Sequence, residues 1–97
     1  MRARYASRIL GVRVEVSRAR ADLLKALDSA QASQQIAAYA EEALRLAQTR
    51  YRAQLTSFVK LLTAEASTEQ ARAEYAQAVY NYQISRTRLN TAVGLEP

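Results

Sequence analysis

At 97 residues, with 20 alanines, one Phe, no Trp, two Gly and one Pro, the chain has room for one domain and lacks the varied large side chains of a compact core. Nearly half its residues are hydrophobic but most are small, which favours long helices in close contact, since Ala has the best helix propensity and lets backbones approach. Without Cys or His it cannot build disulfides, the common zinc-ligand sets or the familiar nucleophile–base pairs, and two glycines do not make a phosphate-binding loop.

The formal charge of +5 is confined to one end. Residues 1–20 hold Arg2, Arg4, Arg8, Arg13, Arg18 and Arg20 against the one carboxylate of Glu15, whereas residues 21–97 balance. A basic helix of this kind suits phosphates or anionic lipid. No recognition motif and no aromatic interleaving accompany the arginines, so no specific nucleic-acid partner is expected. The opening apolar run is broken by Arg13 and Glu15, so no signal peptide is expected either. No uninterrupted apolar stretch reaches the length of a membrane-spanning helix, and the chain itself is expected to be soluble.

Helix 1 is expected over about residues 5–51. A seven-residue series runs through Ile9, Val16, Leu23, Ala30, Ala37, Leu44 and Tyr51, and a second follows three residues behind through Val12, Ala19, Ala26, Ser33, Ala40 and Ala47. Together they form an a/d heptad seam. A further stripe, Ala32, Ile36, Tyr39, Ala43 and Leu46, lies off the seam at helical spacing, as in a helix that touches neighbours on two sides. At 1.5 Å per residue this helix would be roughly 70 Å long.

The link TRYRAQLTSF follows, with the turn expected at about residues 52–56. Thr56 or Ser57 can cap the next helix, but the capping box is incomplete, because Val59 and Lys60 stand where Glu or Gln would answer. Gln54 is a good helix former, so a tight reversal here lacks the glycine that enters left-handed conformations at least cost. The heptad phase nevertheless breaks: from Tyr51 the first series would continue to Phe58 and Glu65, whereas the next segment uses Leu61 and Thr68.

Helix 2 is expected over about residues 57–93. Leu61, Thr68, Tyr75, Tyr82 and Leu89 fall seven apart, with Ala64, Ala71, Ala78, Ser85 and Ala92 three behind. Large residues at one seam position and Ala or Ser at the other let two antiparallel helices approach closely. Gly94 is expected as a left-handed cap, with Pro97 beyond it. The fold class is therefore all-α: a long antiparallel helical hairpin, coiled-coil-like and self-associating. The alternative is one continuous helix paired with another chain in a dimeric coiled coil.

Chemistry is sparse. Glu41 and Glu42 point to different parts of a helix surface, and Glu65 and Glu69 share a face as solvated charges. No catalytic residue, cofactor or metal site is expected, and the chain does not read as an enzyme. Of Tyr39, Tyr51, Tyr75, Tyr80 and Tyr82, all but Tyr51 are expected to pack on apolar stripes with the hydroxyl near water.

The stretch from Thr49 to Gly94 carries a more specific signal: Arg50-Tyr51, Ser57, Leu61-Leu62-Thr63-Ala64, Tyr80-Asn81-Tyr82, Leu89, Ala92 and Gly94. It resembles the second half of a repeat in TolC-like outer-membrane efflux proteins, and residues 10–47 resemble the long helix before the turn in that family. The resemblance implies a periplasmic hairpin of an outer-membrane efflux or type I secretion channel, with other copies of itself as partners (a trimer in the full-length family). It also implies a periplasmic membrane-fusion adaptor and, indirectly, an inner-membrane pump. Residue by residue, it implies an inter-hairpin contact at Tyr51, an adaptor-facing turn at Gln54, Leu55 and Thr56, and pore-facing positions at Lys60 and Thr63.

Two departures alter those implications. Gln54 replaces the family's turn glycine, and Lys60 and Thr63 stand where several members carry acidic residues, so a cation-attracting ring is not implied here. No segment has the alternation of a membrane-spanning β-strand, so the chain is expected to be a piece of a larger channel subunit in the outer membrane and periplasm. The competing function is a stand-alone, self-associating coiled-coil module without a transport role.

Overall fold

The computed structural model describes residues 2–94, with side chains described from residue 6 onward. Two helices account for it: α1 (Arg2–Arg52) and α2 (Phe58–Gly94). The chain reverses between them over residues 53–57, which removes the continuous-helix alternative. The fold is all-α. Contacts divide the chain into two compact units, one of residues 29–78 containing the turn and one of residues 1–28 and 79–97.

Within the turn-bearing unit, the residues withdrawn from solvent on α1 are Ala30, Ser33, Ala37, Ala40, Leu44, Ala47 and Gln48. On α2 they are Leu61, Ala64, Thr68, Ala71, Tyr75 and Ala78. With Gln48 set aside, these are the a and d positions of the two heptad series, and the seam is their meeting line. Ala37, Leu61, Ala71 and Ala78 are buried, and Thr68 is wholly so. Small side chains at the line let the backbones close in. The measure of that closeness is the Thr68 hydroxyl, placed 2.8 Å from Ala64 O on its own helix and 3.1 Å from Ala40 O on α1. One proton serves two acceptors there, so Thr68 ties α2 to the backbone of α1 at a single register.

An ion-pair cluster flanks the same line. Arg72 reaches Glu41 across the helices at 3.0 Å and Glu69 one turn back at 3.1 Å. The hydrogen bond to Glu41 raises the Arg72 pKa above its ordinary value; desolvation opposes this, and the charges of Glu41 and Glu69 reinforce it. The two adjacent carboxylates thus diverge as expected, since Glu42 pairs instead with Arg45 at 2.7 Å.

Within the other unit, the heptad positions Ile9, Val12, Val16, Ala19, Leu23 and Ala26 of α1, with Tyr82, Ser85, Leu89 and Ala92 of α2, are again withdrawn from solvent. Where Ala19 and Ala92 line the seam, a groove of about 370 Å³ opens, rimmed by Glu15, Arg18, Asp22 and Arg88. This unit carries all of the net charge: nine basic against four acidic residues, compared with five of each in the turn-bearing unit.

One expectation changes at the end of α2. Gly94 remains within the helix, and no glycine has a positive φ, so it is not a left-handed cap. Pro97 lies outside the described residues. No helix among the described residues is long and apolar enough to cross a membrane.

Candidate functional site at the helical turn

The C-terminus of α1 is closed by a pair of nested hydrogen bonds. Leu55 N–H donates to Arg50 O at 2.8 Å, and Gln54 N–H donates to Tyr51 O at 3.0 Å. This 6→1 and 5→2 pairing is the Schellman motif, which requires a left-handed residue just past the helix. Gln54 supplies it with φ 61°, as the single non-glycine residue of positive φ among those described. The missing glycine therefore does not prevent the reversal. The side chain is carried into a conformation that costs an L-residue roughly 1–2 kcal/mol, and the hydrogen bonds offset that cost.

Such motifs usually set an apolar residue at the position of Leu55 against the last helical turn. Here the facing residues are Thr49 and Arg50, and Leu55 stays 76% exposed. The apex of the turn thus presents a large apolar side chain to solvent. Thr56, beside it, is half-buried.

Of the two candidate caps for α2, Ser57 is the one used: its hydroxyl oxygen accepts from Lys60 N–H at 3.2 Å, and its carbonyl accepts from Leu61 N–H at 3.3 Å. Lys60 is therefore at the third helical position, where a Glu would complete a capping box. The first turn of α2 has no acidic residue at all. Thr63 turns its hydroxyl back onto Val59 O at 2.9 Å and is exposed, as is Lys60.

Tyr51 meets Phe58 across the turn, with ring centroids 5.9 Å apart and planes tilted by 49°. The two rings clasp the end of α1 to the start of α2. Phe58 had no role in the heptad pattern except as a broken phase. The signal was its place directly after a cap residue and seven residues from Tyr51, across a link too short to separate them. Tyr51, Gln54, Leu55, Thr56, Lys60 and Thr63 all fall within this one end of the turn-bearing unit.

A second surface lies on the same unit. The off-seam stripe of α1 is exposed along its whole length, with Ile36 at 54%, Tyr39 at 74% and Leu46 at 50%. This revises the expectation for the tyrosines: Tyr75 and Tyr82 are half-buried on the seam, whereas Tyr39 and Tyr80 stand out in solvent. The heptad partner on α2 uses only one face of α1, so the stripe has no partner among the described residues.

Among the described residues no three His, Cys, Asp or Glu side chains come together as metal ligands. What the unit offers is an unpartnered apolar flank and a protruding cationic, apolar turn. Comparison with curated proteins and with solved structures returned no match. Against models of protein families, residues 1–95 match the one described as outer membrane efflux protein.

Proposed function

This chain belongs to the outer membrane efflux protein family and forms a segment of such a channel; from that premise we propose that it serves as a length of the periplasmic duct wall and as its adaptor-docking tip. In this role α1 and α2 hold each other through the heptad seam, and each hairpin lies beside others through the remaining apolar surface, so that several together enclose a hollow cylinder. Copies of the same chain are the neighbours, in a trimer as in the family. Gln54, Leu55 and Thr56 face a membrane-fusion adaptor, through which an inner-membrane pump is reached indirectly. Tyr51 contacts the adjacent hairpin near the entrance, and Lys60 and Thr63 border the mouth of the lumen, Lys60 in the first turn of α2 beside the docking end.

The observation that carries this reading is the exposed stripe of Ala32, Ile36, Tyr39, Ala43 and Leu46. A helix with two apolar stripes and one intrachain partner needs a second neighbour. Replacing Ile36 and Leu46 together by Glu tests it. The double variant keeps its helicity by circular dichroism, because neither residue is on the seam, while its sedimentation mass falls to that of a monomer. An unchanged mass rejects the stripe as the contact between hairpins.

A further inference from the structure

We propose that the turn docks an acidic protein segment, one that sets an apolar centre against Leu55, Phe58 and Val59 and a rim of carboxylates against Arg50, Arg52 and Lys60. The proposal rests on the reading of the turn as a docking end and adds the chemistry of what docks there.

Three observations lead to it. First, Leu55, Phe58 and Val59 are 76, 55 and 69% exposed within five residues of sequence, a density of bare apolar surface that the seam does not explain. Second, no carboxylate lies between Glu42 and Glu65. The other cations of the unit, Arg45 and Arg72, are held in ion pairs, whereas among the described residues none pairs with Arg50, Arg52 or Lys60. Third, the position of Lys60 works against local stability. Arg50 and Arg52 suit the negative end of the α1 dipole, but Lys60 is in the first turn of α2, where the dipole and the empty capping-box position both favour Glu. A cation kept where an anion would stabilise the fold is accounted for by something outside it.

An apolar centre ringed by charge is the layout of a protein interface, with the rim charges setting orientation and choice of partner. A membrane surface would also attract the cations. A helix that lies on lipid, however, separates a polar face from an apolar one along its length. Here the cations come from both helices and surround a single apex.

The test places a photo-cross-linking amino acid at Leu55 in cells that express the chain in its native setting, and identifies the captured peptide by mass spectrometry. The expected product is a protein segment with Asp or Glu within a few residues of the linkage. Its yield falls about tenfold or more when Arg50, Arg52 and Lys60 are all reversed to Glu. Lys60→Glu alone lowers the yield although it makes the hairpin more stable, so misfolding does not account for the loss. Capture of lipid, capture of a segment without carboxylates, or a yield indifferent to charge reversal overturns the proposal. An adaptor captured with charge-indifferent yield retains the docking reading and removes the acidic chemistry; an acidic captured protein that is not an adaptor does the reverse.

Discussion

Replacing Gln54 by Gly isolates the conformational cost of the turn. At φ 61° an L-residue carries roughly 1–2 kcal/mol of strain that glycine does not. Glycine loses about 0.5–1 kcal/mol more backbone entropy on folding, which offsets part of the gain. The net stabilisation expected is about 0.5–1 kcal/mol, with both Schellman hydrogen bonds kept because they use only backbone atoms. For a domain of this size that raises Tm by about 2–8 °C. The assay is thermal and urea unfolding followed by circular dichroism, at one fixed chain concentration, since self-association itself shifts the midpoint. Gln54→Val sharpens the comparison: a β-branched residue enters the left-handed region least readily and lowers stability by at least about 1 kcal/mol. If Gly and Val variants unfold together with the parent, residue 54 is not left-handed and the proposed closure of α1 is wrong.

Other positions test separate parts of the same structure. Ser57→Ala removes the cap of α2 and costs about 1 kcal/mol, whereas Lys60→Glu completes the capping box and gains roughly 0.5–1 kcal/mol, both read from urea midpoints. Thr68→Val keeps the shape of a wholly buried residue but loses its hydroxyl bond to Ala64 O and Ala40 O, and is expected to cost about 0.5–1.5 kcal/mol by the same assay. A double-mutant cycle on Tyr51→Ala and Phe58→Ala should return a coupling of about 0.5–1.5 kcal/mol; a coupling of zero removes the ring clasp. Gly11 lies inside α1, and a methyl group added there would meet nothing within 4 Å, so Gly11→Ala should stabilise by about 0.5–1 kcal/mol in the same unfolding curves.

The long-range geometry was legible in the sequence because it follows from a period. Ile9 through Ala47 and Leu61 through Ala92 repeat every seven residues, and the positions they mark are withdrawn from solvent. The break in phase after Tyr51 located the reversal, and the resemblance supplied the family.

What the period does not encode was harder to read. The left-handed backbone of Gln54 arises from a local balance between strain and two hydrogen bonds, and propensity alone argued for continued helix. The exposure of Tyr39 and Tyr80 depends on which face the second helix covers, and an apolar stripe looks the same in sequence whether its partner is in the chain or outside it. Gly94 ended the heptad pattern as a cap would, yet α2 runs through it in helical conformation. Thr68 was one member of the seven-residue series, and nothing in the period marked its hydroxyl as the group that fixes the register there.

A duct wall built from these hairpins requires that the stripe of α1 be covered by a neighbouring copy. Its most direct test is the maleimide reactivity of a cysteine at Tyr39, 74% exposed in the single chain. It is compared between chains diluted to monomer and chains assembled in the outer membrane, with Gln34→Cys, exposed but off the stripe, as a reference position. Assembly is predicted to slow the reaction at position 39 by at least about tenfold relative to position 34, about 1.4 kcal/mol of protection. Equal rates in the two states would contradict side-by-side packing through this face.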